Sequence, residues 1–107
     1  MFPPQVPTTD VSELDAEHPV PEGVVLLDVR EQDEWDAGHA PDAVHIPLGE
    51  LPVRWGELDP DVPILVICHS GGRSARAAAW LNQGDFDATN LDGGMVAWSQ
   101  RGFPVEA

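Results

Sequence analysis

The sequence predicts an α/β protein built on a parallel β-sheet that helices cover on both faces. Short apolar runs without polar alternation recur along the chain, as expected for strands that are buried on both faces. Between these runs lie segments with helix-start and helix-stop residues, and strands that alternate with helices form parallel sheets. The 107 residues suffice for one domain of ordinary size, so we expect a single domain over residues 1–107.

The first quarter of the chain predicts three elements. An edge strand is expected near residues 5–8, because Pro7 permits an edge position but not a central one. Asp10 with an acid three residues on predicts a short helix at about 10–16. The apolar run at residues 24–29 predicts the first buried strand.

The middle of the chain predicts two helices and a strand. Residues 31–37 carry acids in the first turn and are followed by a glycine, which favours a short helix. A second strand is expected at 43–46, closed by proline. Residues 48–58 predict one helix, with Pro52 in its first turn.

The last part of the chain contains the clearest strand signal, at residues 63–67. It is followed by a loop, a helix at 74–83, a strand at 88–91 and a helix that opens at 92–94 and runs to Arg101. Three residues of the 74–83 helix share one apolar face at helical spacing: Ala77, Trp80 and Leu81. We expect Trp80, near the end of this helix, to pack in the core or at its rim.

Charge and composition exclude several classes of function. Five arginines and no lysine stand against nineteen acids, and the net charge is −14. Nucleic acids and anionic membrane surfaces need a basic footprint, so neither is an expected partner. No apolar stretch approaches the roughly 18 residues of a membrane span. A single cysteine excludes a disulfide framework and a metal site made of several thiolates.

Targeting and cofactor signals are also missing from the sequence. The first four residues lack the basic and apolar regions of a secretory signal, so we expect a soluble cytoplasmic protein. His18, His39 and His45 have no carboxylate or thiolate at metal-ligand spacing, which favours structural roles for all three. We therefore expect neither a metal nor a cofactor.

Cys68 is the candidate nucleophile, because it directly follows the clearest strand and precedes a helix. Ligands of parallel sheets bind at this carboxyl edge. Gly71 and Gly72 let successive backbone amides turn inward, and the following helix adds the positive end of its dipole. Together these features predict an anion cradle around one sulfur.

The distribution of charge favours an ionised thiol at Cys68. Residues 62–84 contain no acid but include Arg73 and Arg76, whereas fifteen of the nineteen acids precede residue 62. An electropositive setting lowers the pKa of a cysteine thiol. A lone cysteine at a strand end is more often a small buried hydrophobe. The two glycines, the arginine and the acid-free segment together favour the reactive interpretation.

Residues 68–74, Cys-His-Ser-Gly-Gly-Arg-Ser, resemble the active-site loop of the rhodanese-like sulfurtransferases, Cys-x-x-Gly-x-Arg-Ser. Residues 28–35 and 38–47 resemble the upstream signatures of that family, and residues 91–98 resemble its closing signature. The likeness covers roughly residues 5–105. It implies a rhodanese-like fold with a central parallel five-stranded sheet.

The resemblance also implies an activity. The Cys68 thiolate would take a sulfane sulfur from thiosulfate or a persulfide, and would pass it to cyanide, a thiol or a protein acceptor. The substrate would be bound by the rest of the loop: His69, Ser70, Gly71, Gly72, Arg73 and Ser74. Cysteine-dependent phosphatases place a longer loop between Cys and Arg than the four residues found here, which favours sulfur transfer. The alternatives are a protein-interaction module and a sulfur carrier for a specific acceptor.

Two further positions bear on this interpretation. Asp28 and Arg30 follow the first buried strand and could orient the loop, but helix capping by Asp28 and pairing of Arg30 with Glu34 are favoured. Many members of the family carry a basic residue where this chain has His69. Asp42 replaces a glycine of the family, so we expect a departure in the turn there.

Overall fold

The structure is a computed structural model that describes residues 6–107. It contains five strands: β1 Thr8–Asp10, β2 Val25–Asp28, β3 Val44–His45, β4 Ile64–Ile67 and β5 Ala88–Asp92. The four α-helices are α1 Gln32–Ala37, α2 Leu51–Arg54, α3 Gly72–Gln83 and α4 Gly94–Gln100.

All five strands form one parallel sheet in the order β1-β5-β4-β2-β3. The predicted five-stranded parallel sheet is therefore confirmed. Because β4 is central, the residue that follows it, Cys68, lies at the middle of the carboxyl edge. The predicted edge strand is found slightly later in the chain, as β1, and residue 5 of the predicted range lies outside the described residues.

The sheet separates two apolar layers, because successive strand residues point to opposite faces. On one face, Leu27 and Val66 pack with α2 and α3 through Leu51, Ala77 and Leu81. On the other face, strand residues pack against α4 and the segments that flank it: Leu26, Ile67, Leu91, Met95, Trp98 and Phe103. Helices on both faces are thus confirmed.

Two predicted helices are shorter than expected. The predicted helix at 10–16 is a single 3-10 turn, Val11–Glu13, although Asp10 does cap it by accepting a hydrogen bond from the Ser12 amide. Asp15 and Glu17 would place negative charge at the carboxyl end of a longer helix, where the helix dipole is also negative, and this disfavours continuation of the helix. The 48–58 helix is divided into a 3-10 turn, α2 and a second 3-10 turn, since two glycines and a proline interrupt it.

Backbone details at two other positions also differ from prediction. α3 begins at Gly72 rather than at Ser74, so the loop that follows Cys68 is shorter. A departure was expected in the turn at Asp42, but Asp42 adopts φ +64°, the left-handed conformation that glycine takes readily and aspartate tolerates. α3 is the longest described helix, with 12 residues, and none of the helices in residues 6–107 is long and apolar enough to cross a bilayer.

A buried ion pair joins the end of β2 to α1. The Asp28 carboxylate is fully buried and accepts hydrogen bonds from the Arg30 amide at 3.0 Å and from its Nη2 at 2.8 Å. The same guanidinium donates to the carbonyl oxygens of Glu34 and Gly38. The predicted pairing of Arg30 with the Glu34 side chain was wrong, because Asp28 occupies the guanidinium and Glu34 contributes only its backbone oxygen.

We expect Asp28→Ala to lower the free energy of unfolding by about 3–5 kcal/mol, because it leaves the guanidinium buried without its charge partner. Urea denaturation followed by circular dichroism measures the loss. Glu57→Ala is the matched control, because it removes one exposed ion pair of Arg54 while the ion pair of Arg54 with Glu50 remains. Exposed pairs contribute little to the free energy of unfolding. Equal losses in the two variants would contradict the assignment.

Candidate active site

The Cys68 sulfur is enclosed by its own loop. The Cys68 side chain follows β4 and the residue is 1% exposed. Its Sγ accepts a hydrogen bond from the Gly71 amide at 3.1 Å, and the Ser74 hydroxyl lies 3.3 Å away. Gly71, at φ +127°, precedes the first turn of α3 and permits this tight return of the chain.

Burial and hydrogen bonding act in opposite directions on the Cys68 thiol. Burial raises its pKa, because the charged thiolate loses water. Hydrogen bonds with the Ser74 side chain, and with the amides of Ser74, Gly71 and Ser70, lower it. The hydrogen bonds prevail, so the pKa of Cys68 lies below its usual value. The loop therefore favours the thiolate, as the glycine pattern predicted.

Asn90 supports the site from β5, and sequence reasoning missed it. The Ser74 hydroxyl donates to Asn90 Oδ1 at 2.6 Å, and both residues are buried. This contact positions the hydroxyl oxygen beside the sulfur. A hydroxyl has one hydrogen, so it donates to Asn90 while Cys68 is a thiol and turns to Sγ when the thiolate forms. The sequence did contain a signal for this role, because Asn90 places an amide side chain inside a short apolar strand and a buried polar group requires a partner.

The amino-terminal end of α4 holds the loop in shape. The amides of Met95 and Val96 donate to the carbonyl oxygens of Cys68 and His69, at 2.9 and 3.0 Å. These carbonyls face α4, which leaves amides of the same loop free to point at the sulfur. Gly94 makes the approach possible, because a Cβ there would lie 2.5 Å from both carbonyl oxygens.

Arg73 is paired with an acid from a distant part of the chain. Its Nη1 and Nη2 donate to the two carboxylate oxygens of Glu34 at 2.6 and 2.9 Å. Hydrogen bonding to Arg73 lowers the pKa of Glu34 to about 2, and the same contact raises the pKa of Arg73. The expectation that the guanidinium makes the site electropositive was incomplete, since α1 brings a neutralising charge to it.

The remaining predicted site residues lie at the surface of the loop. His69, Ser70 and Gly72 are exposed, and His69 lines a cavity of about 280 Å³ beside Glu34 and Arg30. Arg30 lines this cavity and is paired with the buried Asp28, as described above. The structure thus brings the predicted residues to one edge of the sheet, where Arg30 also donates to the Glu34 carbonyl oxygen of α1.

The two histidines upstream of the loop pack on an aromatic ring. His39 and His45 stack on Trp35, with ring centroids 3.6 and 4.6 Å apart. Each ring also contacts a backbone oxygen, that of Trp35 for His39 and that of Arg30 for His45. Among residues 6–107, no three His, Cys, Asp or Glu side chains are grouped in a way that could hold a metal ion.

Gly94→Ala should displace the loop, because its new Cβ would overlap the Cys68 and His69 carbonyls at a positive φ. We expect a loss of about 2 kcal/mol or more in the free energy of unfolding, and slower thiol alkylation at neutral pH. Gly49→Ala is the control, since nothing lies within 4 Å of a Cβ there. An unchanged alkylation rate in Gly94→Ala would show that α4 does not shape the loop.

Ser74→Ala should raise the pKa of Cys68, because it removes a hydrogen bond that favours the thiolate. The midpoint of the alkylation rate against pH should move up by about one unit. Ser70→Ala serves as the control, since it keeps the backbone amide and removes only an exposed hydroxyl. Equal midpoints for wild type and Ser74→Ala would refute this role.

Comparison with known proteins agrees with this geometry. The Rhodanese-like domain family matches residues 10–101. A sulfurtransferase of Allochromatium vinosum is 39% identical over 87 residues, which is 80% of this chain and 81% of that protein. The putative sulfur carrier protein YrkF of Bacillus subtilis is 44% identical over 79 residues, covering 73% of this chain and 43% of that protein.

A solved structure shows the same architecture. The crystal structure of a rhodanese-related protein from Thermoplasma volcanium superposes with a TM-score of 0.84 at 32% sequence identity, covering 94% of this chain and 97% of that one. The match over residues 10–101 includes β4, the sulfur-binding loop (residues 68–74, which run from Cys68 into the first turn of α3) and the start of α4 that holds this loop. The chain therefore belongs to the rhodanese-like family.

Proposed function

We propose that this chain is a sulfurtransferase that carries sulfane sulfur as a persulfide on Cys68. The observation that supports it most directly is the sulfur itself, held at the carboxyl end of the central strand with a pKa lowered by surrounding hydrogen bonds. A thiolate is the form of cysteine that attacks sulfur. The sulfurtransferase of A. vinosum supports the same class of reaction.

In the first step, the Cys68 thiolate attacks the outer sulfur of a donor such as thiosulfate. A new S–S bond forms to Sγ, the S–S bond of thiosulfate breaks, and sulfite leaves with the electron pair. The enzyme then holds a persulfide anion, and its charge equals that of the starting thiolate. A persulfide donor reacts in the same way and releases a thiolate.

The loop would bind the charge that reaches the terminal sulfur. The backbone amides from His69 to Arg73 supply donors whose orientation is set before the reaction. The Ser74 hydroxyl remains beside Sγ, and Arg73 lies at the mouth of the loop with its charge shared with Glu34. His69 and Ser70, which are exposed, would meet the donor first.

In the second step, a nucleophilic acceptor takes the terminal sulfur. A thiolate or cyanide attacks that sulfur, the bond to Sγ breaks, and the Cys68 thiolate is restored. One cysteine is enough for both steps, because the enzyme is acceptor and then donor. A dithiol redox cycle within the chain would require a second cysteine.

Intact-mass spectrometry after incubation with thiosulfate tests the proposal. Wild type should gain about 32 Da, the mass of one sulfur on the nucleophilic cysteine, and should lose it on addition of cyanide. Cys68→Ala and Cys68→Ser should gain nothing and should show no thiocyanate formation, while their circular dichroism spectra remain native. Sulfur transfer that persists in either variant would refute the assignment.

A sulfur carrier is the second candidate, favoured by the similarity to the putative carrier of B. subtilis and by the near-complete burial of the sulfur. A carrier would form the same persulfide but release it slowly to cyanide and rapidly to a protein thiol. The ratio of these two transfer rates therefore distinguishes the candidates. Rapid cyanide turnover favours the sulfurtransferase.

A further inference from the structure

A groove lies beside the sulfur-binding loop, which contributes Arg73 to its lining. It has a volume of about 500 Å³ and lies between α3 and the segment Leu48–Pro52. Its lining also includes the side of α3 that carries Arg73, Arg76 and Trp80. This volume falls in the range of small-molecule sites and far exceeds the space that a thiosulfate ion needs.

The inner end of the groove adjoins the reactive cysteine. Val29, which lines this end, donates its amide hydrogen to the carbonyl oxygen of Ile67, the residue directly before Cys68. Arg73, at the same end, belongs to the sulfur-binding loop. A ligand in the groove therefore has one end beside the loop and the other end on the flank of α3.

The charge of the groove depends mainly on Arg76. Arg73 is engaged by Glu34, but Arg76 is exposed and has no carboxylate within 4 Å among the described residues. Glu31 is the acid that lines the groove. Arg76 is thus a cation free to bind a ligand, in a chain whose net charge is −14.

The two arginines and Trp80 are spaced along one side of α3. At a rise of about 1.5 Å per residue, Arg76 lies about 4.5 Å beyond Arg73 along the helix axis, and Trp80 about 6 Å beyond Arg76. Trp80, for which the sequence predicts packing in the core or at its rim, is 41% exposed and lines the groove. It offers an aromatic surface at the outer end.

We propose that this groove binds the organic part of the acceptor, a low-molecular-weight thiol that carries a carboxylate several bonds from its sulfur. Arg76 binds the carboxylate, and the carbon chain between the carboxylate and the thiol lies against Leu51. The part of the acceptor beyond the carboxylate lies against Trp80. The thiol group is directed to the loop. This inference rests on the proposed sulfurtransferase function and specifies its acceptor.

The cavity that His69, Glu34 and Arg30 line suits such a ligand less well than the groove does. It is smaller, at about 280 Å³, and the arginine that lines it is Arg30. That guanidinium is already neutralised by Asp28 and bound to two carbonyl oxygens. A carboxylate there would meet Glu34 without a free cation to balance it.

The transfer step balances in atoms and charge. The acceptor thiolate, RS⁻, attacks the terminal sulfur of the Cys68 persulfide anion and forms a new S–S bond. The bond between that sulfur and Sγ breaks, and its electron pair remains on Sγ. The products are RSS⁻ and the Cys68 thiolate, and no oxidant or reductant is consumed.

The test compares two acceptors under turnover, with saturating thiosulfate regenerating the persulfide form of the enzyme after each transfer. Glutathione carries carboxylates, whereas 2-mercaptoethanol carries none. We expect Arg76→Ala to raise the KM for glutathione about tenfold, as for the loss of one hydrogen bond to a charged group, with kcat little changed. The KM for 2-mercaptoethanol should stay as in wild type, and Arg76→Lys should restore part of the glutathione preference.

Arg101→Ala is the matched control, because it removes a positive charge at the far end of α4, where Arg101 donates to the carbonyl oxygen of Ser12. It should leave both KM values unchanged. An unchanged glutathione KM in Arg76→Ala, an equal rise for both acceptors, or transfer to a protein thiol alone would each overturn the groove assignment. A wild-type chain that gains no 32 Da from thiosulfate would instead overturn the proposed function itself, and this inference with it.

Discussion

The contact between the start of α4 and the sulfur-binding loop is the constraint on which the site depends. Two amides of α4 bind the carbonyl oxygens of Cys68 and His69. A trans peptide unit held by its carbonyl has its amide on the opposite side, so these contacts turn the amides of His69 and Ser70 away from α4. The Ser70 amide is one of the groups that lower the pKa of Cys68. The absence of a side chain at Gly94 permits the contact, which couples a helix to a loop more than twenty residues earlier.

The same arrangement reconciles the burial of Cys68 with the lowered pKa of its thiol. A sulfur that is 1% exposed would ordinarily be an inert apolar group, because removal from water penalises the thiolate. Here the lost solvation is replaced by backbone amides and one hydroxyl, whose positions are held by the sheet, α3 and α4. Asn90 extends this support to β5. The donors are in place before substrate arrives, which is the arrangement that stabilises developing charge most efficiently.

Patterns local in the chain predicted the sheet, most of the helices and the lowered pKa of Cys68. β4 and its loop follow from an unbroken apolar run next to glycines, and this signal needs no knowledge of distant residues. The predicted lengths of two helices were wrong for a physical reason, because apolar spacing does not show where a helix ends. Acids at 15 and 17 follow the first helix, and glycines and a proline at 49–56 divide the second. Trp80 shares helical spacing with Ala77 and Leu81, yet it lies at the edge of the buried face.

Electrostatic contacts separate most clearly what the sequence determines from what the tertiary structure decides. The chain order alone shows that residues 62–84 hold arginines without acids, and that one thiol stands among glycines at the end of a strand. Only the folded chain shows that Glu34 on α1 neutralises Arg73, while Arg76 has no acidic partner among residues 6–107. Hydrogen-bond caps and apolar periodicity act between neighbours in the chain and can be deduced from it. Coulombic contacts depend on distances in space, and these exist only after α1, α3 and α4 have packed on the sheet.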